Sequence, residues 1–326
     1  MICSTGGARS PESSVASPAA AITPSPAGRP AQTSSPSAGP SLENRPVTGA
    51  SPSGAGPAPS AAPTGPVGAV GAAGALPRPG EVGRIRAGSG AALPVISAIP
   101  TRRKVVFLTI DDGWEQDPGF VRLVRERAVP ITVFATRDAV EARGVPDPGA
   151  AGGRYVGAGK WAYFRELRDL GVPIEDHTLT HPNLWNLGPA AQRTEICGAA
   201  GVIAGEIGRR PALLRPPFGN YTGTTLRVAR RCGLSAVLLW TASVQPGGKI
   251  SYQTPDKRLR PGDILLLHFR ANLARDFRIL LDKIERRGFE LGNLDAYLRA
   301  ARVRLPVASV PTAPPTPAVP SATPPA

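Results

Sequence analysis

Aromatic residues make up only 5% of this 326-residue chain. A chain so short of large apolar rings argues for one core, although its length would hold two average domains. Cysteines number three, Cys3, Cys197 and Cys232, and none forms a Cys-x-x-Cys pair, which excludes a thiolate metal centre and a disulfide-rich scaffold. No apolar run reaches bilayer-spanning length, and the opening Met-Ile-Cys-Ser-Thr-Gly-Gly lacks the basic and apolar regions of an export signal. Acidic residues are the minority charge, 24 against 38 Lys and Arg, for a net charge of +14. Residues 1–92 carry six Arg and three Glu, so +11 belongs to the remainder. The arginines are scattered and no nucleic-acid motif accompanies them, so no nucleic-acid partner is expected. The charge is read as compositional bias, with attraction to anionic cell-wall polymers or membrane surfaces as the alternative.

Proline and glycine are abundant, 38 and 37 residues, and crowd toward the ends. Residues 10–92 are mostly Pro, Ala, Ser and Gly and cannot bury enough apolar surface to offset their ordering entropy. The expected division is a disordered linker over 1–92, a folded domain over 93–304 and a disordered tail over 305–326. A linker of this length suits a domain held away from a membrane, behind an anchor or signal not visible in this sequence. Cys3 with small polar residues after it suits a lipidated start, and Ile2 before it does not. Cys197 and Cys232 both fall in expected helices; their positions leave open a bridge in an exported protein or two buried thiols.

The folded part is organised around residues 104–113, Lys-Val-Val-Phe-Leu-Thr-Ile-Asp-Asp-Gly. The apolar, β-branched run reads as a buried strand that ends in Asp111, Asp112 and a glycine. Both acids then lie at the carboxyl edge of a sheet, where α/β folds place ligands. Adjacent residues of an extended chain point opposite ways, so the acids are expected to have different neighbours. Further strands are read at 130–136, 213–215, 235–240, 263–268 and 288–291. Residues 172–175 lead into the histidine pair. Helices are read at 118–127, 161–170, 189–207, 223–232, 273–287 and 294–302. Residues 144–159 read as a Gly-rich loop, and Pro246-Gly247-Gly248 as another. Strands alternating with crossover helices mean parallel pairing. Seven such units fit an α/β fold, an incomplete and distorted (β/α) barrel flanked by disordered tails.

Only three histidines occur: His177, His181 and His268. The spacing of His177 and His181 lets both imidazoles converge on one face of a turn, and Pro182 places that turn in a loop or at the end of a short helix. His268 ends the strand Ile264-Leu265-Leu266-Leu267-His268. Singly, a strand-end histidine is more often structural. The three together, with paired acids upstream, are an unlikely accident and favour an active site over a plain turn at Asp111-Asp112-Gly113.

Four segments in order carry a resemblance: Thr109-Ile110-Asp111-Asp112-Gly113, His177-Thr178-Leu179-Thr180-His181-Pro182, Arg215-Pro216-Pro217-Phe218-Gly219 and Ile264 to His268. From about Val105 to Arg304 the chain resembles the polysaccharide deacetylase (NodB-homology) domain of carbohydrate esterase family 4. The resemblance implies the barrel fold and one divalent metal, zinc, held by Asp112, His177 and His181. It implies Asp111 as general base, paired with Arg215, and His268 as the acid that protonates the leaving group. A second metal ligand and a plain salt bridge are the other roles open to Asp111 and Arg215. The Phe218 amide would bind the oxyanion, because Pro216 and Pro217 have no N–H. Phe218, Trp240 and Leu266 would wall an acetyl methyl, or serve as core.

The sequence departs from the family in 240–248, Trp-Thr-Ala-Ser-Val-Gln-Pro-Gly-Gly, which lacks the aspartate that usually orients and charges the acid histidine. Thr241, Ser243 or Gln245 are the side chains offered in its place, and a weaker acid or lower pH optimum is expected. Asp176 replaces a usual Asn and is expected to add negative charge. Trp114 replaces a usual Pro and is expected to cover the site or stack on a sugar. The implied function is a monomeric, extracellular or cell-envelope N-deacetylase of an N-acetylated polysaccharide, peptidoglycan or chitin-like glycan, touching membrane only through an anchor. The alternatives are an O-acetyl esterase on acetylated xylan or exopolysaccharide, a silent carbohydrate-binding member of the fold, and a wall-spanning structural protein.

Overall fold

A computed structural model describes residues 74–86, 93–144 and 153–305. Among these, the strands are β1 (Val95–Ile96), β2 (Val105–Asp112), β3 (Ile131–Ala135), β4 (Ile174–Asp176), β5 (Leu213–Leu214), β6 (Ala236–Leu238), β7 (Ala242–Gln245), β8 (Lys249–Tyr252), β9 (Ile264–His268) and β10 (Glu290–Leu291). The helices are α1 (Pro118–Arg127), α2 (Arg137–Val140), α3 (Lys160–Asp169), α4 (Pro189–Ile207), α5 (Gly223–Arg231), α6 (Leu273–Arg286) and α7 (Leu294–Ala300). The strand order is β1-β6-β5-β4-β3-β2-β9-β7-β8, with β10 pairing beside the start of β2. Every pair is parallel except β7 with β8. The sheet curls without closing, the incomplete α/β barrel that the alternation of elements calls for.

Strand alternation sorts the core into an outer and an inner face. On β2, Val106, Leu108 and Ile110 pack outward with Phe120, Phe164, Phe269 and Phe277 beneath α1, α3 and α6. Val105 and Phe107 point inward with Phe134, Leu213, Leu238, Ile264 and Tyr297. Each such side chain, fully buried, contributes roughly 1.5–3 kcal/mol. Thr109 and Asp111 continue the inward parity, as do Arg215 after Leu213 and Leu266 and His268 after Ile264. The barrel interior therefore runs from apolar at the amino ends of the strands to polar at their carboxyl ends. A third cluster, with Ile196, Leu214, Val228 and Val237, lies under α4 and α5. There Cys197 and Cys232 form a disulfide, Cα–Cα 5.0 Å, which resolves the alternative left open by spacing.

Two expectations need correction. Residues 74–86, assigned to the linker, pack on the domain: Ala75 N–H donates to Leu291 O at 2.8 Å, Ile85 N–H to Ala301 O at 2.9 Å, and Val82 bridges Thr101. Ala75, Val82 and Ile85 each bury part of their surface on the inner core, enough to hold a strap that composition alone reads as linker. Leu305, assigned to the tail, is buried in the same cluster. The rest of the expected linker and the tail, and much of the expected loop 144–159, lie outside the described residues. The Pro246-Gly247-Gly248 loop is the turn of the β7–β8 hairpin, in which Gly247 and Gly248 supply φ of 73° and 64°.

Candidate active site

Asp111 is buried at the inner end of β2, and Arg215 Nη1 donates to its Oδ1 at 2.6 Å. The guanidinium is itself fully buried. It donates from Nη1 to Thr109 Oγ1 at 2.9 Å and from Nε to Leu238 O at 3.2 Å, and stacks 4.2 Å above the Phe134 ring. Burial lowers its pKa, and the Asp111 carboxylate opposes that shift. Arg215 also fixes the histidine, because its carbonyl oxygen lies 2.6 Å from His177 Nδ1. A carbonyl can only accept, so Nδ1 carries the proton and Nε2 presents a lone pair.

That lone pair faces both carboxylates: His177 Nε2 is 3.5 Å from Asp111 Oδ2 and 3.7 Å from Asp112 Oδ1. The expectation that adjacent acids point apart fails here. Asp112 has φ 78°, a left-handed turn that folds its carboxylate back toward the histidine. Gly113 makes the turn possible, since with φ 126° a Cβ there would lie 2.8 Å from Val140 Cγ2 and 2.9 Å from Phe164 Cζ. Only Asp111 has the arginine, so the two acids still differ in partner.

His177 and His181 converge, ring centroids 4.9 Å apart, on a loop rather than a helical turn; left-handed φ at Thr178 (72°) and His181 (60°) bends the chain. His181 Nε2 is 3.5 Å from Asp112 Oδ1, and one ligand atom from each of Asp112, His177 and His181 lies within 4.8 Å of the others. Tetrahedral zinc ligands at ~2.0–2.1 Å stand roughly 3.3 Å apart, a little less than the 3.5 and 3.7 Å from Asp112 Oδ1 to the two Nε2 atoms. The donor chemistry also fits. Burial lowers His177 to about 4 and lowers His181 as well, keeping both imidazoles neutral. Burial, with the charge of Asp111 beside it, raises Asp112 to about 7.

His268 pairs in register with Asp111 across β2 and β9. Burial lowers its pKa; Asp111 opposes the shift, and Arg215 and Arg270 add to it. None of the side chains offered for the missing aspartate holds it. Thr241 donates to Asp263 at 2.8 Å, and Gln245 donates to Ser243 at 3.1 Å. His268 opens instead onto a cleft shared with Asp112, Trp114, Glu115 and Arg270, so Trp114 does border the site. Asp176 receives the Thr178 amide at 2.9 Å, and burial raises its pKa well above the ordinary carboxylate value, which opposes the negative charge expected of it.

Phe218 has φ 61°, is 57% exposed and meets His181 edge to face at 4.9 Å between centroids. The hydrogen bonds of its turn run from Gly219 to Pro216 and from Asn220 to Pro217, and do not use the Phe218 amide. Trp240 is half-buried near Gly219 and Arg215, and Leu266 is 4% exposed on the inner face of β9. Sequence reasoning missed Thr109 and Phe134, which hold Arg215 from below. Strand parity with Asp111 was the available signal for Thr109.

The profile of the polysaccharide deacetylase family matches residues 98–237, a stretch that holds Asp111, Asp112, His177, His181 and Arg215 and ends before His268. The chain is also 42% identical over 209 residues to an uncharacterized protein of Streptomyces coelicolor, covering 63% of this chain and 77% of the relative. The chain belongs to the polysaccharide deacetylase family. A polysaccharide deacetylase relative, the chitooligosaccharide deacetylase of a Bradyrhizobium species, is 27% identical over 208 residues, 57% of this chain and 87% of the relative. Among solved structures, a carbohydrate esterase family 4 pseudoenzyme from Bacillus anthracis aligns with TM-score 0.51 at 18% identity, covering 63% of this chain and 68% of that one. At that identity the likeness bears on the fold alone.

Proposed function

We propose that this polysaccharide deacetylase is a metal-dependent hydrolase that removes N-acetyl groups from an N-acetylhexosamine polymer, peptidoglycan or a chitin-like glycan. The observation that carries the reading is the convergence of Asp112, His177 and His181 beside an Arg215-held Asp111. Asp112, His177 and His181 would hold one divalent ion, zinc by its preference for imidazole and carboxylate in a four-coordinate site with an open position. When bound, such an ion polarises an acyl oxygen and acidifies water.

The chain's own groups supply the rest. Asp111, aimed by Arg215, takes the proton of the attacking water. The Phe218 amide donates to the oxyanion as the carbonyl carbon becomes tetrahedral. His268 passes a proton to the departing amine; its lowered pKa is that of a stronger rather than a weaker acid and moves the protonated form to lower pH, in line with a lower pH optimum. Phe218 and Trp240 wall the acetyl methyl above Leu266. The Cys197–Cys232 bridge supports an extracellular or cell-envelope site of action.

Acetate release from N-acetylglucosamine oligomers, compared with acetylxylan, tests the reading. Wild type with zinc is expected to favour the amide, and Asp111→Asn to lose on the order of 10²–10⁴ in rate. Equal or greater release from acetylxylan would favour the O-acetyl esterase. A second reading, a silent carbohydrate-binding member, draws on the lack of an acidic partner for His268. Glycan binding without zinc-dependent acetate release would decide for it.

A further inference from the structure

The loop that carries His177 and His181 forms no strand ladder and no helix, so each of its polar backbone groups needs another partner. Most find one close by. His177 N–H donates to Ala135 O at 3.1 Å, and His177 O accepts from Thr136 Oγ1 at 2.9 Å. Thr178 and Leu179 carbonyls accept from the amides of Arg137 at 3.4 Å and Asp138 at 3.0 Å, at the start of α2. Thr178 N–H goes to Asp176, and His181 N–H to Thr178 Oγ1 at 3.2 Å.

The amides of Leu179 and Thr180 depend on a residue far along the chain. Both donate to Glu195 Oε2, at 3.0 and 2.9 Å, and Thr180 Oγ1 donates to Glu195 Oε1 at 2.9 Å. Glu195 stands on α4, and its neighbours on the same turn grip as well. The missing side chain of Gly198 makes room for Leu179, whose Cδ1 would lie 2.7 Å from a Cβ there. Cys197 is bonded to Cys232 beyond α5, which ties this turn to the neighbouring helix. The loop needs such a grip, because Thr178 and His181 hold left-handed φ that side-chain-bearing residues seldom adopt.

We propose that Glu195 is a positioning residue for the candidate metal centre: by holding the Leu179 and Thr180 amides it keeps His181 within reach of Asp112 and His177. The inference rests on the metal-binding reading above. With Glu195 shortened to alanine, two amides lose their acceptor, the left-handed residues relax, and His181 drifts from its partners while its own side chain is intact. Glutamine reproduces the pattern, since its carbonyl accepts from both amides and its NH2 donates to Thr180 Oγ1.

The test is zinc affinity by calorimetry, with backbone hydrogen exchange of residues 177–183, on full-length wild type, Glu195→Ala, Glu195→Gln, Gly198→Ala and His181→Ala. Glu195→Ala is expected to bind zinc 10–100-fold more weakly, the scale for losing a supporting hydrogen bond behind a ligand. Its loop should exchange faster while the barrel strands keep their protection. Glu195→Gln should stay within about threefold of wild type. Gly198→Ala, which displaces Leu179 without touching Glu195, should also weaken binding. Zinc binding by Glu195→Ala equal to wild type, or unchanged loop exchange, overturns the inference and leaves the metal site standing. Wild type binding zinc no better than His181→Ala overturns the metal reading and this inference with it.

Discussion

Replacing Arg215 by methionine is expected to be among the most damaging single changes in the domain. The guanidinium is fully buried, donates to Asp111 at 2.6 Å and stacks on Phe134 at 4.2 Å. Methionine fills similar volume but strands the Asp111 carboxylate without its counter-charge. Breaking a buried pair from one side costs about 3–5 kcal/mol, and the lost ring contact adds about 1 kcal/mol. For a domain of this size each kcal/mol lowers Tm by about 2–4 °C, so a fall of about 8–24 °C is expected by scanning calorimetry. The partner change supplies the control. In Asp111→Asn/Arg215→Met no charge is left stranded, so the double variant should recover much of the loss. Arg215→Lys should fall between, keeping charge but losing the fork that reaches Thr109 and Leu238. A loss below about 1 kcal/mol, or costs that simply add in the double variant, would refute the argument that the pair is held by mutual compensation.

Other changes probe separate parts of the account. Cys197→Ser/Cys232→Ser opens a bridge spanning 35 residues, which loop-closure entropy values at about 3–4 kcal/mol; a change in denaturation midpoint equivalent to under 1 kcal/mol would contradict that value. In chelator, Asp112→Asn should gain on wild type as pH rises from about 4 to about 7. The folded state keeps on Asp112, raised to about 7, a proton that the unfolded chain has released, so wild-type stability falls across that window while the asparagine variant cannot titrate. A pH-independent difference in urea midpoint would contradict the assignment. Phe218→Gly relieves a left-handed φ and keeps the amide; stability should hold within about 1 kcal/mol while KM rises more than kcat falls. A selective fall in kcat would point to a different role for the ring.

Much of the barrel was legible because its strands are apolar runs that end in chemistry. On β2 and β9 the run stops at Asp111 and His268, which the structure sets side by side in register. Arg215 announced itself as the one charge following a buried Leu-Leu pair. What sequence did not reveal depends on backbone turns and on distant partners. The left-handed turn at Asp112 overrides strand alternation, and no pattern in the neighbouring residues foretells it. The histidine loop looks like a helical turn by spacing, but its shape comes from Glu195 and the start of α2. The β7–β8 hairpin carries a weak signal, alternation flanking Pro-Gly-Gly, in a stretch too polar to read as strand. The strap at 74–86 hides in linker-like composition because a few apolar contacts, rather than a periodic face, hold it down.

A single cation shared by residues far apart along the chain is what would unite this site. Zinc-edge anomalous diffraction from crystals grown with one equivalent of zinc addresses it directly. One peak is expected within bonding distance of Asp112, His177 Nε2 and His181 Nε2, with Asp111 still paired to Arg215. Density for all three side chains with no peak between them, or a peak bound elsewhere, would contradict it.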